Sequence, residues 1–247
     1  MAKQRHLPRA PIAEALIDIR VTPRDGLTFS VLQESLSTLD FGYYVKNPIS
    51  EGTFGFMLPA DGKRPQTTAE AAQTGLRLHS HDEKYVAQCT ISGLTLSRLS
   101  PYEAWPNLVQ EAKRVWAVYT ERLIPKQVNR VATRFINDLQ LPMDHGESYQ
   151  KYLHKLVDVP DEAPQAVASF FQRFQLIDVE SDARVILTLA LDNPQPGGRV
   201  PVILDIDAFR SLEPSHQDIW SILDKLRELK NRCFFGTITE AAAGLYE

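Results

Sequence analysis

Two stretches of strict apolar alternation, far apart in the chain, set the frame for everything else. Ala15, Ile17, Ile19 and Val21 alternate with Glu14, Leu16, Asp18 and Arg20. A period of two marks a strand with one apolar face. The same pattern returns over residues 128–139. Each opening strand is followed by more strands and then by a long amphipathic helix. In the first half, Pro23-Arg24-Asp25-Gly26 is a turn, and Phe29, Leu32, Leu36 and Leu39 recur at helical spacing up to Gly42. Residues 53–58 read as a short strand and residues 60–73 as a polar loop. Residues 76–81, 85–91 and 95–99 read as a meander with tight turns at 82–84 and 92–93. Ser100, Pro101 and Glu103 offer a cap, a first-turn proline and a capping box. The helix that follows carries Trp105, Leu108, Ala112, Val115, Tyr119 and Leu123 at three- and four-residue spacing, and Pro125 ends it.

The second half restarts with the strand at 128–139. A short helix at 149–157, a Pro-containing connection at 159–164 and a short helix at 165–171 follow. Residues 174–179, 184–191 and 200–207 read as strands, with a loop at 193–198. Ser215 and Asp218 open a helix with Ile219, Ile222, Leu226 and Leu229 on one face, and Thr239 caps a last helix at 240–246. Element order therefore predicts an α+β protein of two pseudo-equivalent halves. Each half is strand, helix, three or four antiparallel strands, then long helix, with the helices packed on antiparallel sheets. The halves are residues 1–125 and 126–247. They dock closely, because neither alone supplies both faces of a large core.

A chain of 247 residues buries enough surface to need no metal or disulfide staple. Its two cysteines, Cys89 and Cys233, build no disulfide framework. The net charge of −4 disfavours nucleic acid as a partner, because that affinity comes largely from neutralising phosphates. The basic start runs into Leu7-Pro8-Arg9-Ala10-Pro11 where a signal peptide needs an apolar stretch. No apolar run approaches the ~20 residues of a membrane span. The expectation is a cytoplasmic protein without membrane contact.

Several segments together carry a resemblance. Ser97-Arg98-Leu99-Ser100-Pro101-Tyr102-Glu103-Ala104-Trp105 leads into the aromatic helix. Asn129-Arg130-Val131-Ala132-Thr133-Arg134-Phe135-Ile136-Asn137 follows Pro125. Leu7-Pro8-Arg9-Ala10-Pro11 lies near the start, Leu204-Asp205-Ile206-Asp207-Ala208-Phe209 further on, and Phe234-Phe235-Gly236-Thr237-Ile238-Thr239-Glu240 near the end. In this order they resemble a sporadically distributed, uncharacterised prokaryotic protein family of about this length. Ala132, Thr133 and Phe135 stand where the pattern has Gly, Leu and Tyr. The resemblance implies a cytoplasmic bacterial or archaeal protein with an accessory or defence role in a gene that moves between genomes. It carries over no catalytic residue.

Asp205 and Asp207 share one side of their strand, about 7 Å apart, as a Mg²⁺-holding pair for phosphoryl transfer would. The competing reading is a polar strand end. His79 and His81 alternate as zinc ligands can, yet no third ligand is evident, so a solvated strand edge is favoured. Cys89 and Cys233 read as core thiols. Tyr102, Trp105, Trp116 and Tyr119 read as core rather than a base-stacking platform, and the mixed charges of the helix over 213–232 as a solvated face. Arginines on strands are more distinctive. Arg130 and Arg134 share a face, Arg20 lies with Asp18 on the other opening strand, and Arg77 lies beside His79. Arginine grips carboxylate or phosphate bidentately, so these residues with Asp205 and Asp207 form the candidate binding set. Intramolecular pairing with Asp18, Asp138, Asp205 and Asp207 is the competing reading. The sequence thus favours a non-enzymatic binding or partner protein of a mobile accessory prokaryotic system, acting through the surface between the halves. Its partner is a protein or a second copy, and it uses no cofactor. The rivals are a metal-dependent nuclease or nucleotidyl-transfer enzyme using Asp205 and Asp207, a sensor of small anionic ligands, and a nucleic-acid adaptor.

Overall fold

The structure, a computed structural model, describes residues 1–37, 41–57, 66–143, 148–154, 159–160, 162–164, 167–191, 199–213 and 218–247, with backbone alone over 53–57 and 66–70. The first half runs β1 (Ile12–Thr22), α1 (Phe29–Ser37), β2 (Tyr43–Met57), β3 (Gln66–Ser80), β4 (Tyr85–Thr90), β5 (Gly93–Leu99) and α2 (Trp105–Leu123). The second runs β6 (Gln127–Leu141), a 3₁₀ turn (Tyr149–Lys151), β7 (Phe170–Asp178), β8 (Ala183–Leu191), β9 (Val200–Ser211), α3 (Ile219–Thr237) and α4 (Glu240–Ala243).

The strands form one antiparallel sheet in the order β2-β3-β4-β5-β1-β6-β9-β8-β7. This corrects the expectation of separate sheets. In each half the opening strand pairs with the last strand, β1 with β5 and β6 with β9. Each opening strand then has one bare edge, and β1 and β6 close those edges on each other, with Ala15 opposite Phe135, Ile17 opposite Thr133 and Arg20 opposite Arg130. An unpaired edge is a liability, and this single pairing removes two.

The alternation of β1 and β6 sorts the faces. Ala15, Ile17, Ile19, Val131, Phe135 and Leu139 are buried in the core. The helices cover that face: Tyr119 of α2 donates its hydroxyl to the Thr90 carbonyl at 2.9 Å, and Trp105 stacks at a tilt on Phe135, 6.3 Å between ring centroids. Both chain ends are tied to this layer. The Ala2 amide donates to the carbonyls of Phe235 and Ile238, and Arg5 pairs with Glu240 and Glu247.

Several local expectations change. Residues 66–73 are part of β3 rather than loop, and the rest of that loop lies outside the described residues. The strand expected at 53–58 is the end of a much longer β2. These two strands pair at the sheet margin through main-chain bonds, which demand no apolar alternation. The helix expected at 165–171 gives way to β7 from Phe170 onward, while 165–166 lie outside the described residues. That expected at 149–157 is one 3₁₀ turn and a bridge from Leu153 to Ile238, with 155–158 outside the described residues. The Ser100 cap is also corrected. Helix α2 starts after Ala104 with no side-chain cap, and Glu103 instead accepts from Arg98 at 2.9 Å and Asn107 at 3.0 Å. Asp218 caps α3 and Thr239 caps α4 as read; Ser215 and the loop at 193–198 lie outside the described residues.

Candidate functional site

The sheet face opposite the helices carries the charged residues of the three central strands. Alternation puts Asp18 and Arg20 of β1, Arg130 and Arg134 of β6, and Asp205 and Asp207 of β9 on it together. The sequence places these six, and the structure joins them into a ladder. Arg134 grips Asp205 bidentately, Nε to Oδ1 at 2.8 Å and Nη2 to Oδ2 at 2.6 Å. Arg130 reaches Asp18 at 2.8 Å and Asp207 at 3.5 Å, with its guanidinium 4.4 Å over the Phe209 ring. Arg20 donates from Nε to Asp18 at 3.0 Å, and Thr95 adds a hydroxyl donor at 2.6 Å. Among the described residues Asp138 pairs with no arginine and accepts from Gln140 at 2.7 Å.

The electrostatics follow from this geometry. The Asp205 carboxylate raises the Arg134 pKa further. Burial pushes the Asp207 carboxyl up, against the pull of Arg130 and Arg134 and with the help of repulsion from Asp18 and Asp205. Asp18 is only 5 % exposed, whereas the Arg20 and Arg134 side chains are each 42 % exposed. The carboxylates are therefore the floor of the ladder, and the guanidiniums are its accessible rim. Three arginines balance three aspartates. A metal ion must break the Arg134–Asp205 fork. Among the described residues no group of three or more His, Cys, Asp or Glu is placed to hold a metal.

The other candidates lie elsewhere. Arg77 sits on the same face of β3, but its register runs through Gln88 and Thr95 before reaching Asp18. Three strand spacings put it about 14 Å from the ladder. His79 bonds Glu83 at 2.9 Å through Nδ1, and the rings of His79 and His81 each lie 6.0 Å from Tyr44. Hydrogen bonds from Tyr44 and then His79 hold the Glu83 carboxyl below its usual range. Burial pushes the Cys89 thiol up to about 12, which leaves no thiolate near neutrality. Burial also raises Cys233. A shallow cleft of about 420 Å³ is lined by Tyr85, Asn107, Gln110, Glu111 and Arg114. Its charges are spoken for: Arg114 binds Glu111 at 2.6 and 3.0 Å, and the Tyr43 hydroxyl donates to Glu111 at 2.8 Å.

Two buried cations escape the sequence reading. Arg98, 2 % exposed, stacks 5.1 Å over Tyr85 and binds Glu103. Lys230 is 7 % exposed and lies 3.8 Å over the Phe135 ring, so the helix over 213–232 is not solvated at that position. Burial pushes its ammonium down to about 7, and Arg227 acts in the same direction. Its signal is its place on the core stripe, four residues after Leu226 and four before Phe234, both buried.

No helix of the described residues is long and apolar enough to cross a membrane. Comparison with protein-family models and with curated proteins finds no match.

Proposed function

We propose that this chain is a non-enzymatic binding protein of a mobile accessory prokaryotic system, built by internal duplication, that meets a protein partner through the outer face of β1, β6 and β9. The supporting observation is the charge ladder, which spans the seam between residues 1–125 and 126–247 on the sheet face away from the helices. Its neutral balance suits a polar protein surface, which can trade hydrogen bonds with half-exposed guanidiniums while leaving the aspartates paired. It suits a phosphate polymer poorly, because such a ligand needs net positive potential. The similar element order, with a 3₁₀ turn for α1 and three strands for four in the second half, and the way each opening strand pairs with its own last strand, support the duplication. Cytoplasmic placement and membership of the resembled family belong to the same reading.

Arg134→Ala is expected to weaken partner capture from the native host at least tenfold while the protein stays folded. Arg134 is 42 % exposed but Asp205 only 17 %, so the stability cost is about 1–3 kcal/mol. Capture by immobilised protein, with thermal melting beside it, checks this. A fall of many degrees in melting would make Arg134 part of the scaffold instead. The rival metal-enzyme reading makes the opposite demand: calorimetric titration with Mg²⁺ or Mn²⁺ would then show binding that Asp205→Asn removes. Our reading expects identical blank titrations for both proteins.

A further inference from the structure

The two margins of the sheet are built differently. β2 carries Lys46 and Pro48 and slips register twice against β3. Charge, proline and bulges are the devices that keep an edge from recruiting another strand. β7, at the other margin, has neither a proline nor a bulge, and its two charged residues are Arg173 and Asp178. It pairs with β8 without a shift from Phe170–Leu191 to Asp178–Ala183 and contains neither Lys nor Pro. Its outer edge offers main-chain donors and acceptors to a further strand. Phe171 and Ile177 are 69 % and 71 % exposed, and Phe174 and Leu176 are 39 % and 42 % exposed.

These side chains fall on both faces of the sheet. Phe171 and Ile177 share the face of Ala190 and Arg184, and Phe174 and Leu176 that of Leu187 and Val185. A helix laid on one face would cover only one pair, whereas an added strand flanks both. The sequence of β7 is also compatible with its own reversed copy. A twofold axis at Phe174 keeps every side chain on its own face, because residues an even number apart share a face. It sets Phe171 against Ile177 of the second copy, Arg173 against Gln175, and Phe174 against itself. No like charges meet: Arg173 faces an amide, and Asp178 is already engaged by Ser181 and by Arg232 at 3.1 Å. The four side chains expose on the order of 400 Å² per copy at ordinary side-chain areas, so a pair with its main-chain edge approaches the ~1,200 Å² of small specific interfaces.

We propose that β7 pairs antiparallel with β7 of a second copy, giving a homodimer with one sheet continuous across both chains. The ladder on β1, β6 and β9 stays open in this dimer, so the inference stands independently of the proposed function. Sedimentation velocity between 1 and 100 µM tests it. The wild type should shift with concentration towards twice 27.9 kDa. Phe171→Lys combined with Ile177→Lys, both at exposed positions, should weaken association at least tenfold with circular dichroism unchanged. Val45→Lys, on the opposite margin, should leave it intact. In a Cys233→Ser background, Phe174→Cys should oxidise to an intermolecular disulfide and Gln175→Cys should not. A wild type monomeric at 100 µM, a dimer indifferent to the paired lysines, or loss of the dimer on Val45→Lys would overturn the proposal. Cross-linking through Gln175→Cys in place of Phe174→Cys would overturn the register.

Discussion

Lys230→Met is expected to stabilise the protein at pH 7 by about 4 kcal/mol, and the gain should vanish as the pH approaches 11. Lys230 is buried in the layer between α3 and β6 with no carboxylate among its electrostatic neighbours. Lysine is almost never buried without one. A folded-state pKa of about 7 against an ordinary 10.5 corresponds to about 4–5 kcal/mol of lost stability. The sign follows from proton counting. Between the two values the unfolded chain holds the proton and the folded chain does not, so stability rises with pH through that window. The full penalty stands below about pH 7 and is relieved near 10.5. Denaturant unfolding of both proteins at pH 6.5 and at pH 10.5 reads the difference and cancels groups common to both. A variant no more stable than wild type at pH 6.5, or a gap that does not close with pH, would contradict this account of Lys230.

Gly93→Ala should cost about 2–4 kcal/mol. Gly93 begins β5 opposite Arg20, where the β4–β5 turn meets the central strand. A Cβ there would lie 2.3 Å from the Ile19 carbonyl oxygen and 3.1 Å from the Arg20 Cα. Both are main-chain atoms of β1, so the clash is relieved only by moving a core strand. The backbone φ of +156° adds strain for any residue with a side chain. Gly236, inside α3 with nothing within 4 Å of an added Cβ, is the control. Gly236→Ala should stabilise by about 0.5–1 kcal/mol through helix propensity. Thermal unfolding of the two variants beside wild type checks both signs. Equal effects would mean that close packing of β5 on β1 is not what Gly93 provides.

The opening strands, the hairpins at 82–84 and 92–93, and the α2 stripe were legible because their side chains report burial directly. Ala15, Ile17 and Ile19 must face a core, and Trp105 through Leu123 must face a sheet. The first part of β2 and the first part of β3 were hidden because strands near the sheet margin are held by main-chain bonds, and Lys46, Pro48 and Ser50 say nothing about pairing. β7 was partly misread because Phe170 and Phe171 suit a helix face and a strand equally. The fusion of both halves into one sheet was not legible either, since edge-to-edge pairing of β1 with β6 uses groups common to every residue. Within the site, alternation correctly put Arg130 with Arg134 and Asp205 with Asp207. It left open which carboxylate each guanidinium meets, because that depends on the register between strands. Arg77 was grouped with the others by residue type, and two intervening strands separate it from them. Lys230 was lost because a helix of mixed charge was read as a whole, whereas burial is decided position by position.

The most direct measurement compares capture of the native partner by wild type, by Arg134→Ala, by Arg130→Ala, and by Val179→Asp, a change at an exposed turn residue beyond the ladder. If the outer face of the central strands is the docking surface, wild type and the turn variant recover the partner equally. The two arginine variants then lose it at least tenfold while circular dichroism at the capture temperature shows both folded. Equal recovery by all four proteins would show that the ladder only braces the sheet and that recognition happens elsewhere.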